Sequence, residues 1–295
     1  MIRGLQARIG ETVDLGWVVA DSDAAHHFWR AVGLSPPRTE RELPLGLALA
    51  LRGGPSPAVE LAPDTVSVHA GHALSARNPF TGGRRYRVLT RIAEIFEKSG
   101  RSGPLTVIVR TAELCDETEA VVVSLREQQI ARWRRALVAP PPDQRPSPVV
   151  GRHSVGPEDV MDIGSTIGVI QRRAPGAATV RAYASGLGGR EPLFSDADFA
   201  RRLGFADIIV PGPMQSTLFE GLLANSLPEW ALTDLSLSFR ISLVVDEPIT
   251  LTALATEVAA RSDRLVADLT LENSRGERAT VGTATLIARR QRELA

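Results

Sequence analysis

Cysteine is almost absent from this 295-residue chain: Cys115, at the end of the apolar run LTVIVRTAELC, is the only one. A single thiol excludes a disulfide within the chain and any thiolate metal cluster. Its place on an apolar segment favours a small buried hydrophobe over a nucleophile. The disulfide-stapled and cysteine-ligated classes of small domain are therefore excluded.

An excess of charge is also missing, since 34 basic side chains balance 34 acidic ones. No basic run is interleaved with aromatics, so we do not expect nucleic-acid binding. No apolar run approaches the ~18 residues of a membrane span, and the N-terminus lacks the apolar core of a signal peptide. We therefore expect a cytoplasmic protein without membrane contact.

A proline-rich segment divides the chain. Residues 138–150 contain five prolines and no apolar periodicity, which favours an extended connector over a helix or a strand. We predict an N-terminal half at residues 1–137 and a C-terminal half at residues 151–295. Each half is long enough to bury a core of its own.

The C-terminal half is the better patterned of the two. Apolar and polar residues alternate along TDLSLSFRISL, which predicts a half-buried strand, and three more strands follow after short connections typical of an antiparallel meander. The four predicted strands cover residues 233–243, 248–258, 264–273 and 278–288. Ahead of them, GPMQSTLFEGLLANSL carries Pro213 in its first turn and a wide apolar stripe, so we expect one helix cradled by a curved sheet.

The N-terminal half repeats this order of elements. An early helix over residues 21–33 and an apolar segment at residues 42–54 come before four strands. These strands are predicted at residues 65–74, 84–97, 103–114 and 118–133. A helix followed by four strands thus occurs twice, which suggests an internal duplication.

Three segments resemble a known family. GFADIIVPGPMQSTL resembles the start of the central helix in MaoC-like hydratases and dehydratases, the (R)-specific enoyl-thioester hydratase group. EKSGRSGPLTVIVRTAEL and VVVSLREQQIARWR resemble the first half of the branch that carries two hotdog units in one chain. The resemblance runs from Val66 to Ile287 and implies an α+β double hotdog fold, with one helix wrapped by an antiparallel sheet in each half.

The catalytic loop of that family is degenerate here. Family members carry Asp or Asn, four residues, then His, with a second Asp two positions on, and their helix begins with His-Gly. In this sequence Gly189 and Phe194 stand at the first acidic or amide position and at the histidine, whereas Asp196 keeps the trailing acid. Pro211 replaces the second histidine, and Gly212 is retained. The resemblance implies that the N–H of Gly212 holds the thioester carbonyl, while the proton-transfer pair is missing.

The remaining candidates follow from this comparison. Predicted catalytic residues are Gly212, Glu191 and Asp196, and predicted substrate-binding residues are Gly189, Arg190, Phe194, Pro211, Met214, Gln215 and Tyr183. Each has a structural alternative. Asp196 is placed to cap a short helix, Glu191 and Arg190 fit a solvated turn, Gln215 fits a helix cap or a solvent contact, and Tyr183 fits core packing.

The five histidines do not form a predicted metal site. His26 and His27 are adjacent on a predicted helix and diverge, whereas His69 and His72 are three apart on a strand and are expected on opposite faces. Any of these, or His153, could serve as a relocated base. We expect neither a metal nor a cofactor.

Three functions are compatible with this sequence. We favour an enzyme that folds a hydrophobic acyl or polyketide-like chain and promotes its cyclisation or isomerisation, since Gly189 and Phe194 would enlarge and dry the cavity. The second is a true hydratase or dehydratase whose base is Glu191, Asp196 or a histidine of the first half. The third is a non-catalytic subunit that supports an active partner. The acyl group would arrive on coenzyme A, on a carrier protein or free, and a monomer and a homodimer are both open.

Overall fold

The computed structural model describes residues 8–21, 29, 42–53, 65–100, 103–133, 162–186, 191–259 and 264–289. The strands within these ranges are β1 Thr12–Val19, β2 Thr65–Ala76, β3 Arg85–Gly100, β4 Gly103–Cys115, β5 Val121–Trp133, β6 Thr166–Arg173, β7 Trp230–Phe239, β8 Pro248–Ala259, β9 Arg264–Glu272 and β10 Arg278–Ala288. The helices are α1 Gly46–Leu51, α2 Ala177–Gly186, α3 Ala197–Arg202 and α4 Gly212–Ser226, and a 3-10 turn spans Pro192–Phe194. No helix in the described ranges is both long and apolar enough to cross a membrane.

The ten strands form one antiparallel sheet in the order β1-β3-β4-β5-β2-β7-β10-β9-β8-β6. Read outward from the β2–β7 pair, the two sides follow the same connectivity, so each half is a copy of the same unit. Edge pairing of β2 with β7 joins the copies into one continuous sheet. This is the predicted double hotdog fold. The predicted linker at residues 138–150 lies outside the described residues, and the half boundaries stay a prediction.

The predicted four-strand meander is wrong in one respect. Strands β8, β9 and β10 do form a meander, but β7 pairs with β10 on one side and with β2 on the other, not with β8. The residues that follow Phe239 leave the sheet and bond to the segment ahead of α4: the N–H of Val210 donates to Leu243 O at 2.8 Å, and the N–H of Val245 donates to Ile208 O at 3.3 Å. This crossing separates β7 from β8.

Helix α4 is the centre of the core. It is buried continuously from Met214 to Leu223, and β6 lies so close to it that a Cβ on Gly168 would come within 2.4 Å of Ser226 Oγ. The buried length includes four polar residues that need internal partners, Gln215, Ser216, Thr217 and Glu220. Their partners define the candidate site described below.

Several elements differ from the sequence-based predictions. Strands β1 and β6 and helix α2 were not predicted, and of the helix predicted at residues 21–33 only Trp29 lies within the described residues. Cys115 is buried at the end of β4, as predicted, and burial raises the pKa of its thiol.

Candidate functional site

A β-bulge in β2 brings His69 and His72 together. The pairing of β2 with β5 shifts by one residue between His69 and Gly71, which leaves Ala70 as the extra residue. In a regular strand an odd spacing places two side chains on opposite faces, but one inserted residue restores a common face. The prediction that these histidines face apart was therefore wrong, because it assumed an unbroken pleat.

The two imidazoles connect a hydroxyl to a carboxylate. Ser216 Oγ lies 2.6 Å from His72 Nε2, His72 Nδ1 lies 2.9 Å from His69 Nε2, and His69 Nδ1 lies 3.4 Å from Glu127 Oε1. We call these four residues the proton relay. Strand β2 supplies both imidazoles and β5 supplies the carboxylate, whereas the hydroxyl belongs to α4 of the other half.

Two groups of the proton relay have shifted pKa values. Burial lowers the pKa of His72 well below its ordinary value, so His72 is neutral. Burial opposes ionisation of Glu127, yet the hydrogen bond from His69 and the charge of Arg52 outweigh it and hold the Glu127 pKa far below its usual range. The His69 Nδ1–H can donate to this carboxylate. In the tautomer in which His72 Nδ1–H donates to His69 Nε2, the Ser216 hydroxyl donates to His72 Nε2.

Two buried arginines hold the carboxylate end. Arg52, which follows α1, lies with Nη2 2.5 Å from Glu127 Oε2. The Gln129 side-chain amide donates to Glu127 Oε1 at 3.1 Å, and Arg110 in turn donates to Oε1 of Gln129. Burial lowers the pKa of Arg110 to about 10, so its guanidinium stays charged at neutral pH. The glutamate is thus fixed in both charge and orientation.

The hydroxyl end of the proton relay lies at the start of α4. Ser216 Oγ is 3.3 Å from the carbonyl oxygen of Gly212, the first residue of that helix, where the backbone dipoles carry partial positive charge. Phe239, the last residue of β7, packs against both histidines, with ring-centroid distances of 5.5 Å to His69 and 5.4 Å to His72. Its ring also meets Gly212, where an added Cβ would lie 2.6 Å from a ring carbon. A side chain at this position would have to displace the Phe239 ring.

The predicted loop residues are exposed or partly buried, or they lie outside the described residues. Gly189 and Arg190 fall outside the described residues. Glu191 is exposed ahead of the 3-10 turn, and Phe194 is partly buried against the core. Asp196 accepts a hydrogen bond of 2.9 Å from a backbone N–H in the first turn of α3, which confirms the helix-capping interpretation.

The predicted residues around the helix start have internal partners. Pro211 precedes α4 and accepts the first backbone bonds of the helix, from the N–H groups of Met214 and Gln215. The Gln215 side chain donates to a backbone carbonyl at 3.2 Å and accepts from the Thr280 hydroxyl at 2.5 Å, so it lies inside the core and not at a cap or in solvent. Met214 is fully buried. Tyr183 is also buried, which agrees with core packing and raises the pKa of its hydroxyl well above the ordinary value.

A second buried acid lies one turn along α4 from Ser216. Glu220 accepts hydrogen bonds from the N–H groups of Leu45 at 2.7 Å and Gly46 at 2.8 Å, at the start of α1. Burial raises its pKa to about 7, although both hydrogen bonds work in the opposite direction. Each half therefore places an ionisable group at the start of the helix that belongs to the other half.

Sequence reasoning missed the proton relay, although two local signals were present. Gly71 interrupts the alternation of β2 directly beside both histidines, and an isolated glycine in a strand is a sign of a bulge. Ser216 and Glu220 are four residues apart on a helix that is otherwise apolar on most sides, so they share one face. Neither signal identifies the partner, since Ser216 and His72 are 144 positions apart in the chain.

Comparison with known proteins agrees with this architecture. No protein-family model matches the chain. Over 97 residues it is 37% identical to the (R)-specific enoyl-CoA hydratase of Aeromonas caviae, a match that spans 32% of this chain and 71% of that relative. A solved MaoC-like dehydratase superposes with a TM-score of 0.78 at 15% identity, covering 97% of this chain and 100% of its own. A MaoC-like dehydratase from Phytophthora capsici gives a TM-score of 0.63 at 11% identity, covering 96% and 97% of the two chains.

The two solved structures support a shared fold, and the 37% identical relative supports common descent. Together with the mirrored strand order and the glycine at the start of α4, they lead to one conclusion. The chain belongs to the MaoC-like family of (R)-specific enoyl-thioester hydratases and dehydratases.

Proposed function

We propose that this protein adds water to an enoyl thioester, or removes it from a 3-hydroxyacyl thioester, with proton transfer supplied by its first half. The observation that supports this proposal is the proton relay, which ends on Ser216 in the first turns of α4. The name of the Aeromonas caviae relative, an (R)-specific enoyl-CoA hydratase, supports an acyl group carried on coenzyme A.

Water addition needs a base for the water and a proton donor for the α-carbon. Gly189 and Phe194, at the family's two reacting positions, have no ionisable group. The proton relay contains two imidazoles, of which His72 is neutral, and an ionised carboxylate behind them, and its hydroxyl end can pass a proton in either direction. The N–H of Gly212, at the positive end of α4, would polarise the thioester carbonyl beside it.

The sequence alone favours cyclisation or isomerisation of a polyketide-like chain, because the family's proton-transfer pair is missing from the loop and Gly189 and Phe194 would enlarge and dry the cavity. The proton relay supplies imidazoles beside α4 and a carboxylate behind them, which supports water addition as the first candidate. Cyclisation remains the second, supported by the apolar ring of Phe239 over the site. A non-catalytic role requires the proton relay to be dispensable.

The test is an activity assay with paired variants. The purified protein is incubated with enoyl and 3-hydroxyacyl coenzyme A thioesters of several chain lengths, and the absorbance of the conjugated thioester is followed. We expect His72→Gln and Glu127→Gln each to lower kcat by about 10²–10⁴. The matched controls Glu191→Gln and Asp196→Asn should retain activity, since Glu191 is exposed and Asn caps a helix as well as Asp does.

Two outcomes would contradict the proposal. Loss of activity in the Glu191 or Asp196 variant, with the proton-relay variants unaffected, would indicate that the catalytic base is a loop residue. A complete lack of turnover with every thioester would leave cyclisation or a non-catalytic role, which a search for products from longer polyketide-like thioesters would then separate.

A further inference from the structure

We infer that Ser216 is also a nucleophile, and that the site hydrolyses thioesters through an ester formed on its hydroxyl. This activity goes beyond the proposed water addition. It uses the same proton relay but needs no double bond in the substrate. The chemical class of substrate is an acyl thioester, and the products are a carboxylic acid and a thiol.

The inference rests first on the hydrogen bond of the hydroxyl. A serine becomes a nucleophile when an imidazole can accept its proton and a third group orients that imidazole. Ser216 Oγ lies 2.6 Å from His72 Nε2, and His69 and Glu127 continue the chain to an ionised carboxylate. Both Ser216 and the neighbouring Thr217 bond to the carbonyl oxygen four residues earlier, at 3.3 Å in each case, and the contact with an imidazole is what distinguishes Ser216.

A second observation concerns the charge that forms on the carbonyl oxygen. Ser216 Oγ is 3.3 Å from Gly212 O, so the hydroxyl lies within one helical turn of the first N–H of α4. Backbone N–H groups at a helix start stabilise an oxyanion. Nucleophile, base and one oxyanion donor, the N–H of Gly212, are thus gathered at one end of one helix.

We expect Phe239 to control the access of a thioester to the Ser216 hydroxyl. Ser216 is fully buried, whereas Gly212, His69 and Phe239 are partly exposed. The Phe239 ring contacts His72 in an edge-to-face arrangement and lies against Gly212, so we expect it to move aside before a thioester reaches Ser216. We expect Phe239→Ala to speed acylation for this reason.

The reaction balances with water as the only co-reactant. Ser216 Oγ attacks the thioester carbon while its proton passes to His72 Nε2. The C–S bond breaks, and His72 returns the proton to the departing thiolate, which leaves an ester on Ser216. A water molecule then attacks this ester and gives one proton to His72. The ester bond breaks, the acid departs, and the proton restores the serine hydroxyl.

Butyryl coenzyme A is the appropriate probe, because a saturated acyl chain without a 3-hydroxyl can neither gain nor lose water at its α and β carbons. Wild-type protein should release free coenzyme A and show, by intact-protein mass spectrometry after rapid acid quenching, the added mass of one butyryl group. Peptide mapping should place that group on Ser216. We expect Ser216→Ala to lower coenzyme A release by about 10³-fold and to abolish the adduct.

Two controls isolate the hydroxyl. Thr217→Ala removes the adjacent hydroxyl of α4 without touching the proton relay and should behave as wild type. Cys115→Ser removes the chain's only thiol, a strong nucleophile toward thioesters, and should also keep the adduct. Peptide mapping of the butyryl group on the wild-type protein shows whether Ser216 is acylated even if Ser216→Ala does not fold.

Each outcome separates this inference from the proposed function. Hydration of enoyl thioesters without an adduct or coenzyme A release from butyryl coenzyme A would overturn the inference and leave the proposed function standing. An adduct on Ser216 without any hydration of enoyl thioesters would support the inference and contradict the proposed function. An adduct mapped to any other residue would also overturn the inference.

Discussion

Gly71 lies between the two histidines of the proton relay, where β2 pairs with β7. A Cβ at this position would lie 2.6 Å from the carbonyl oxygen of Leu237, a distance that real side chains do not tolerate. The obstacle is backbone of the partner strand and cannot swing away. The glycine therefore permits both the close pairing of the two halves and the bulge that orients His69 and His72.

We predict that Gly71→Ala destabilises the protein by about 1–3 kcal/mol, since overpacking against a fixed backbone forces the strands apart. Urea unfolding followed by circular dichroism measures the change. The matched control is Gly176→Ala, whose Cβ would lie 3.1 Å from the Asp246 carboxylate, a side chain that can move. Equal losses of stability in the two variants would contradict the close contact described here.

At the scale of elements, α1 depends on contacts at both of its ends. Its six residues are too few for a helix that is stable alone. Glu220 of α4 binds the N–H groups of Leu45 and Gly46 at its start, and Arg52 at its end binds Glu127 of the proton relay. Any movement of α1 is thus transmitted to the carboxylate that orients His69.

This arrangement predicts a pH dependence of stability that belongs to Glu220. Its pKa rises from 4.5 to about 7 on folding, so between those pH values the folded state holds a proton that the unfolded state has lost. Stability is fully present below pH 4.5 and is lost as the pH rises to 7. Relative to Glu220→Gln, we expect wild-type protein to lose about 2–3 kcal/mol between pH 4.5 and 8.

Urea unfolding at several pH values checks this difference. His72 acts in the opposite direction, since its lowered pKa removes stability as the pH falls, but it is present in both proteins and cancels. Glu257→Gln, at an exposed strand position, is the control and should follow wild type. Parallel curves for wild type and Glu220→Gln would show that the buried acid carries no proton near neutral pH.

The regular elements were predictable because their patterns are local. Strong alternation identified β7 and the strands after it, and the apolar stripe with Pro213 identified α4 within a residue. The bulge at Ala70 and the crossing after Phe239 were not predictable in this way. Both depend on which strand lies beside β2 and β7, and pairing partners leave no periodic mark in the chain.

The whole molecule is one sheet shared by two halves, and its candidate site exists only where they meet. Family resemblance indicated the fold and the glycine at the start of α4. It could not indicate the proton relay, because His72 and Ser216 belong to different halves and are joined only after β2 pairs with β7. The family's loop was informative mainly because Gly189 and Phe194 carry no ionisable group at its two reacting positions.

We predict that the two halves unfold together. The β2–β7 pairing, the proton relay and the bonds from Glu220 to α1 all cross between them, so neither half retains its buried polar partners alone. Hydrogen exchange in increasing urea should show peptides from β4 and β9, on opposite sides of the molecule, opening at the same concentration. Two separated transitions would contradict this coupling.

The mirrored strand order has a consequence for how such a molecule can change. In a dimer of identical chains every substitution appears twice, and both equivalent helix starts must accept it. Here the copies lie on one chain, so a mutation alters one helix start and leaves the other unchanged. One helix start here contacts a histidine, and the other has its N–H groups bonded to a glutamate. Two identical chains related by symmetry would carry the same arrangement at both helix starts.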